Sequence, residues 1–282
     1  ISATLTGFCL SGRKTAFQQS NKPQTTAKDS GGRPHRGKVS KRSIQDRFLF
    51  TIGLNNKVKG EDMLTKKQIE FCLETIGEMF PDAECELVHD NPFELVIAVA
   101  LSAQCTDALV NKVTKTLFKK YKKPEDYLAV PLEELQQDIK SIGLYRNKAK
   151  NIQKLCKMLL EEYGGEVPKD RDELVKLPGV GRKTANVVVS VAFGVPAIAV
   201  DTHVERVSKR LGICRWKDSV TEVEKTLMKK VPESEWSVTH HRLIFFGRYH
   251  CKAQRPKCEE CPLFSLCREG QKRYKKGLVK LP

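Results

Sequence analysis

The chain has 282 residues, room for one large or two modest domains, and carries 50 Lys+Arg against 34 Asp+Glu, a formal net charge of +16. The first 62 residues hold 12 basic and 4 acidic side chains and the other 220 hold 38 and 30, so the body is basic without its leading segment and suits a polyanion such as nucleic acid. No apolar run approaches the roughly 20 residues that cross a bilayer, which argues against a helical membrane protein.

Residues 1–62 are rich in Ser, Thr, Lys, Gln and Gly, with little sustained periodicity. They read as a disordered leader, or as an extension left by an expression vector or a mis-set start codon. Their opening, ISATLTGFCLSGRKTAF, breaks its apolar residues with Thr, Gly and Ser and makes a poor signal peptide. A body starting at Met63 without a targeting segment points to a prokaryotic cytoplasm, near the nucleoid. Gly12–Ala16 repeats the residues of Gly181–Ala185, but without Leu-Pro-Gly before it or an apolar helix after it, and is read as coincidence.

From Met63 onward the pattern is helix after helix. Ile69, Leu73, Ile76 and Phe80 form one stripe of the first. Pro92-Phe93 opens FELVIAVALSAQ, and Pro124 and Pro131 stand at starts rich in acidic residues. Gly164-Gly165 ends NIQKLCKMLLEEY, and Asp172-Glu173 begins a short helix that stops at Lys176. Ala197–Val200 tolerates a strand but is too short to change the class, which is all-α. Cys9, Cys72, Cys85, Cys105, Cys156 and Cys214 are scattered, several within apolar helical patterns, as expected of free thiols in a reducing compartment.

Residues 139–152 align with 175–188: lysines 140 and 176, glycines 143 and 179, arginines 146 and 182 and alanines 149 and 185 coincide. Both copies read helix, glycine turn, basic residues, helix, and predict two similar hairpins. In the second copy, LPGVGRKTANVV, Pro178 fixes one backbone angle, while Gly179 and Gly181 permit close approach. Such a turn points amide N–H groups outward at a helix start, where they grip phosphate. Arg182 fits a phosphate contact. Lys183 fits either another contact or an amine nucleophile. For the latter it must lose a proton against a reference pKa near 10.4. The helix end contributes only about 0.3–1 kcal/mol, so desolvation against DNA has to supply most of the shift.

Asp201 stands where an apolar stretch meets the helix bearing Val204, Val207 and Leu211. Thr202-x-x-Glu205 fits a capping box, which makes Asp201 the helix N-cap or its neighbour. Asp201 is also placed to act as a cleft carboxylate that takes a proton or stabilises a cationic sugar. His203 reads as a packing or hydrogen-bonding residue. The strongest motif is Cys251-x6-Cys258-x2-Cys261-x5-Cys267, four thiolates for zinc or for an iron–sulfur cluster. Lys252, Arg255 and Lys257 lie in its first loop and can face phosphate.

Hairpin, Val-Asp-Thr-His and the four-cysteine tail, in that order, resemble the endonuclease III family over about residues 63–282. The resemblance implies a two-lobed all-α helix-hairpin-helix glycosylase fold. It places a helical barrel domain at about 85–195, and an iron–sulfur domain built from 63–84 with 196–282. It implies a [4Fe–4S] cluster on Cys251, Cys258, Cys261 and Cys267. The implied activity is a bifunctional DNA glycosylase/AP lyase on double-stranded DNA containing oxidised pyrimidines or abasic sites, acting as a monomer. Lys183 matches the family nucleophile and Asp201 its essential carboxylate. Gln104 and Leu144 match residues that enter the duplex, and Gly179, Gly181, Arg182, Lys252, Arg255 and Lys257 would contact its backbone. Adenine-specific relatives lack the hairpin lysine, which is present here. The rival readings are a non-enzymatic DNA-binding protein with a structural metal, and an iron–sulfur electron carrier.

Overall fold

The structure, a computed structural model, describes residues 63–280; the leader and the Gly12–Ala16 match lie outside them. The described residues are helical and contain no strand. None of their helices is long and apolar enough to cross a membrane.

Two apolar cores organise the helices. The first gathers around α2 (Pro92–Ser102), in which Leu95, Val96, Ile97, Ala98 and Leu101 are fully buried. A helix apolar on every side belongs in the middle of a domain. Around it lie α3 (Asp107–Lys120), α4 (Pro124–Leu128), α5 (Leu132–Asp138), α6 (Tyr145–Tyr163), α7 (Arg171–Lys176) and α8 (Arg182–Phe193). Asn91 caps α2 through the Glu94 amide, with Pro92 in the first turn. Gly164, left-handed, ends α6 as the sequence predicts.

The second core joins α1 (Lys66–Met79) to α9 (Thr202–Leu211), α10 (Val220–Lys230) and α11 (Trp236–Phe245). A single π-helical turn, Phe246–His250, follows α11, and α12 (Arg268–Lys275) closes the described chain. Thr65 and Gln68 cap α1 with a reciprocal box. Its stripe is Ile69, Cys72, Ile76 and Phe80; Leu73 lies at the margin and Cys72 takes the inner place expected of it.

Residues 195–200 run extended between the cores. Ala197 and Ala199 enter the first core, while Ile198 and Val200 enter the second. The strand-like alternation is real, but its two faces are covered by two helical layers rather than by one sheet. The segment delivers Asp201 to the junction.

The two repeat copies are both helix–turn–helix, but their turns differ by one position. The left-handed residue is Leu144 in the first copy and Gly179 in the second, which aligns with Gly143. Val180 is buried where its counterpart Leu144 is exposed.

Candidate active site and cluster centre

The hairpin is built from close contact. Leu177 and Val180 are buried and pin the turn. Gly179 has φ of +82°, and a side-chain carbon there would sit 3.1 Å from Asn151 Cβ on α6. A larger residue would be strained in backbone and crowded against that helix. Gly181 stands at the start of α8 without a side-chain cap, so the first amides of α8 face outward unclaimed by one. Lys183 is exposed in that first turn.

Arg182, expected as a phosphate contact, also has a partner within the protein. Its guanidinium embraces the carboxylate of Glu224 on α10, Nη2 donating at 2.6 Å and Nε at 3.1 Å. Glu224 is buried and needs this partner. Arg182 therefore ties the hairpin helix to the second core.

Asp201 itself caps α9. Its Oδ1 accepts from the amides of His203 and Val204, both at 2.8 Å. The expected Thr202/Glu205 box is not formed; Thr202 is the first helical residue, and Glu205 pairs with Lys209 at 2.7 Å. The cap uses one carboxylate oxygen, and Oδ2 takes part in neither bond. Asn186 Nδ2, one helical turn beyond Lys183, donates to Ile198 O at 3.0 Å and moors the segment that delivers Asp201 to α8. Behind them lies His240, 2% exposed. Burial and neighbouring His241 push its pKa down to about 3, and the charges of both Asp201 and Lys183 act on it. His203 packs on Gly247, accepts at Nδ1 from Arg206 Nη2 at 3.1 Å, and joins no metal-type group among the described residues.

Gln104 and Leu144 share an unusual backbone. They are two of three non-glycine residues with positive φ among the described residues, at +57° and +59°. Both are exposed, and Leu144 is a large apolar side chain 60% open to solvent. Their loops touch, since a carbon added to Gly143 would lie 3.7 Å from Gln104 O. The third such residue is Arg255, φ +48°, at the exposed tip of the cysteine loop beside Lys252.

Cys251, Cys258, Cys261 and Cys267 line one pocket with Leu211, Phe246 and Phe264. The described cysteines form no disulfide. Burial and the other thiols push Cys267 up to about 12 and raise Cys261 as well. Four thiolates so close are stable only against strong positive charge. A lone zinc would draw four sulfurs to about 2.3 Å from one point. Four thiols around one apolar pocket suit either a zinc ion or an iron–sulfur cluster. Buried Arg210 holds the loop from α9, donating to Lys252 O at 2.6 Å, Ala253 O at 2.9 Å and Cys251 Sγ at 3.5 Å. Thus α9 presents Asp201 at one end and braces the cysteine loop from its last turns.

Some charged residues at the lobe junction escape sequence reasoning. Arg248 bridges Asp107 Oδ2, at 2.6 Å, and Glu86, while Tyr249 Oη donates to Glu86 Oε1 at 2.6 Å. These residues come from the two cores and carry no motif. The π-helical turn that turns Arg248 inward has no marker in the sequence beyond Gly247.

Residues 97–233 match the family model for the HhH-GPD superfamily base excision DNA repair protein, and residues 251–267 match that for the iron–sulfur binding domain of endonuclease III. The chain is 88% identical to endonuclease III of Bacillus subtilis over 218 residues, 77% of this chain and all of that protein. It is 46% identical to Escherichia coli K12 endonuclease III over 217 residues, covering 77% of this chain and 98% of the relative. A solved structure of a trapped endonuclease III–DNA covalent intermediate superposes with a TM-score of 0.74 at 79% identity, covering 75% of this chain and 100% of that one. A thermostable thymine-DNA glycosylase matches at TM-score 0.64 and 28% identity, covering 73% and 98%. The chain therefore belongs to the endonuclease III family, DNA-binding base-excision enzymes with glycosylase and abasic-site lyase activities and a [4Fe–4S] cluster.

Proposed function

We propose that the enzyme removes oxidised pyrimidines from double-stranded DNA through Lys183 and Asp201. The damaged nucleotide is turned out of the stack. The Lys183 amine forms a bond to the sugar C1′ as the C1′–base bond breaks, and the base leaves with the electron pair and is protonated from water. Asp201 receives the proton released by the amine and stabilises the cationic sugar. Ring opening gives a Schiff base, and loss of a C2′ proton expels the 3′ phosphate by β-elimination. Gln104 and Leu144 fill the space left in the duplex, which helps offset an unstacking cost of a few kcal/mol. Gly179 and Gly181 give backbone amides to phosphate, and Lys252, Arg255 and Lys257 extend the basic track. Arg182 keeps only its outward edge for DNA.

The observation that carries this reading is the pairing of an exposed helix-start lysine with a capping aspartate, moored through Asn186 to one junction. In this reading 85–195 is the barrel domain, and 63–84 with 196–282 is the cluster domain. Cys251, Cys258, Cys261 and Cys267 hold the cluster, whose iron–thiolate bonds stiffen the DNA-facing loop. The enzyme works as a monomer in a prokaryotic cytoplasm, at the nucleoid, in line with its bacterial relatives.

Borohydride trapping on a duplex with one thymine glycol tests the chemistry. The intact protein should give a covalent adduct, and Lys183→Ala should bind the duplex yet give none. An adduct of equal yield from the variant would remove Lys183 as the nucleophile.

A further inference from the structure

Lys148 is a buried lysine outside the reacting groups. It lies in the first turn of α6, where its amide donates to Leu144 O at 3.1 Å. Only 8% of it is exposed. Its ammonium crosses to the end of α2 and donates to Leu101 O at 2.9 Å and Ala103 O at 2.6 Å. Ala103 is the residue before Gln104. One side chain thus connects the turn that begins at Leu144 to the turn that ends in Gln104.

The ends it joins are otherwise weakly defined. Helix α2 stops at Ala103 without a glycine cap, and its last carbonyls need donors from elsewhere. Helix α6 begins at Leu144 without a side-chain cap. Both flanking residues hold left-handed backbone, which leucine and glutamine adopt only at a cost. Burial lowers the pKa of the Lys148 ammonium, and the two carbonyls are what offset its lost hydration. A cation at a helix C-terminus also interacts favourably with the helix dipole.

We propose that Lys148 is a positioning residue that clamps the Gln104 and Leu144 turns into one rigid double wedge, so that the duplex is opened without first ordering two loops. This rests on the proposed entry of Gln104 and Leu144 into the duplex. The clamp serves base eversion rather than bond chemistry. It therefore matters where a paired, stacked base must be displaced, and not where the sugar is already bare and single-stranded.

The test uses the full-length, cluster-containing protein and two substrates: a duplex with one thymine glycol, and a single strand with one abasic site. Lys148→Met keeps the length of the side chain and removes its donors. Duplex excision under single-turnover conditions should fall about 10- to 100-fold, the scale of a misplacement near 1 Å, while single-strand abasic cleavage stays within about twofold. A 2-aminopurine beside the lesion should brighten less on binding. Lys148→Gln, which retains a donor, should fall between Lys148→Met and the parent, and serves as the test variant if the methionine protein does not fold. Leu144→Ala run in parallel separates the two ideas. If Leu144→Ala shows the selective loss and the Lys148 variants do not, or if they lose both reactions equally, the clamp is refuted while the wedge stands. If Leu144→Ala shows no selectivity, the wedge reading fails and the clamp with it.

Discussion

At the scale of single residues, Asp201 holds two jobs on one carboxylate. Oδ1 closes two amides at the start of α9, and the proposed proton acceptance needs the charge of the whole group. The two can be separated. Asn is as good a helix cap as Asp, so Asp201→Asn should melt within about 1 kcal/mol of the parent, whereas Asp201→Ala should lose about 0.5–2 kcal/mol. Single-turnover excision should fall by about 10²–10⁴ in both variants, the usual worth of a general acid or base. An asparagine variant that excises at the parent rate would confine Asp201 to capping. The sequence marked Asp201 through its place between an apolar run and a helix. It left the cap open between Asp201 and its neighbour Thr202, because Thr202 and Glu205 have the box spacing and only the backbone shows which residue sits outside the helix. Cys251, Cys258, Cys261 and Cys267 were legible as a set because metal chemistry demands clustered thiolates. Spacing alone left zinc open, and the match of residues 251–267 to the iron–sulfur binding domain of endonuclease III decides for the cluster.

At the scale of elements, the helices follow their punctuation. Asn91-Pro92, Gly164 and Thr65-x-x-Gln68 act where local chemistry dictates. Contacts across the lobes were not legible, since Arg182 and Glu224 are 42 residues apart and neither carries a pattern that names the other. Arg182 in a glycine hairpin reads as a phosphate contact; the structure gives its guanidinium to a buried carboxylate. The distinction is measurable. Arg182→Ala should destabilise the fold by about 1–3 kcal/mol by leaving Glu224 without its donor. In a Glu224→Ala background the same substitution should cost much less, a coupling of about 0.5–3 kcal/mol. A pure phosphate contact would leave melting unchanged and lower the salt slope of DNA binding by about one. Thermal melts of the four proteins, with DNA titrations at several salt concentrations, decide between these roles.

At the scale of the molecule, two cores meet along the extended 195–200 segment, and the charged and imidazole groups at that junction give the fold its response to acid. His240 is buried behind Asp201 and Lys183, against His241, with Arg248 acting on His241. Burial holds both imidazoles neutral, down from 6.5 to about 3 for His240 and to about 4 for His241. Above the unfolded value both states carry neutral histidine, and pH has no effect through these groups. As pH falls below 6.5, the unfolded chain binds protons that the folded chain refuses, so stability is lost, by at most about 1.4 kcal/mol per pH unit for each histidine. The loss continues until pH reaches the folded values, where the native state also takes up the proton. His240→Gln keeps a donor for the Ala199 carbonyl and cannot titrate. Its melting temperature should therefore fall less than the parent's between about pH 7 and about pH 5. Melting must be followed with the cluster retained, checked by iron content at each pH, so that cluster loss is not mistaken for histidine protonation. Parallel pH slopes for parent and variant would mean that His240 is already hydrated or protonated in the native state, and that the junction is wetter than its packing implies.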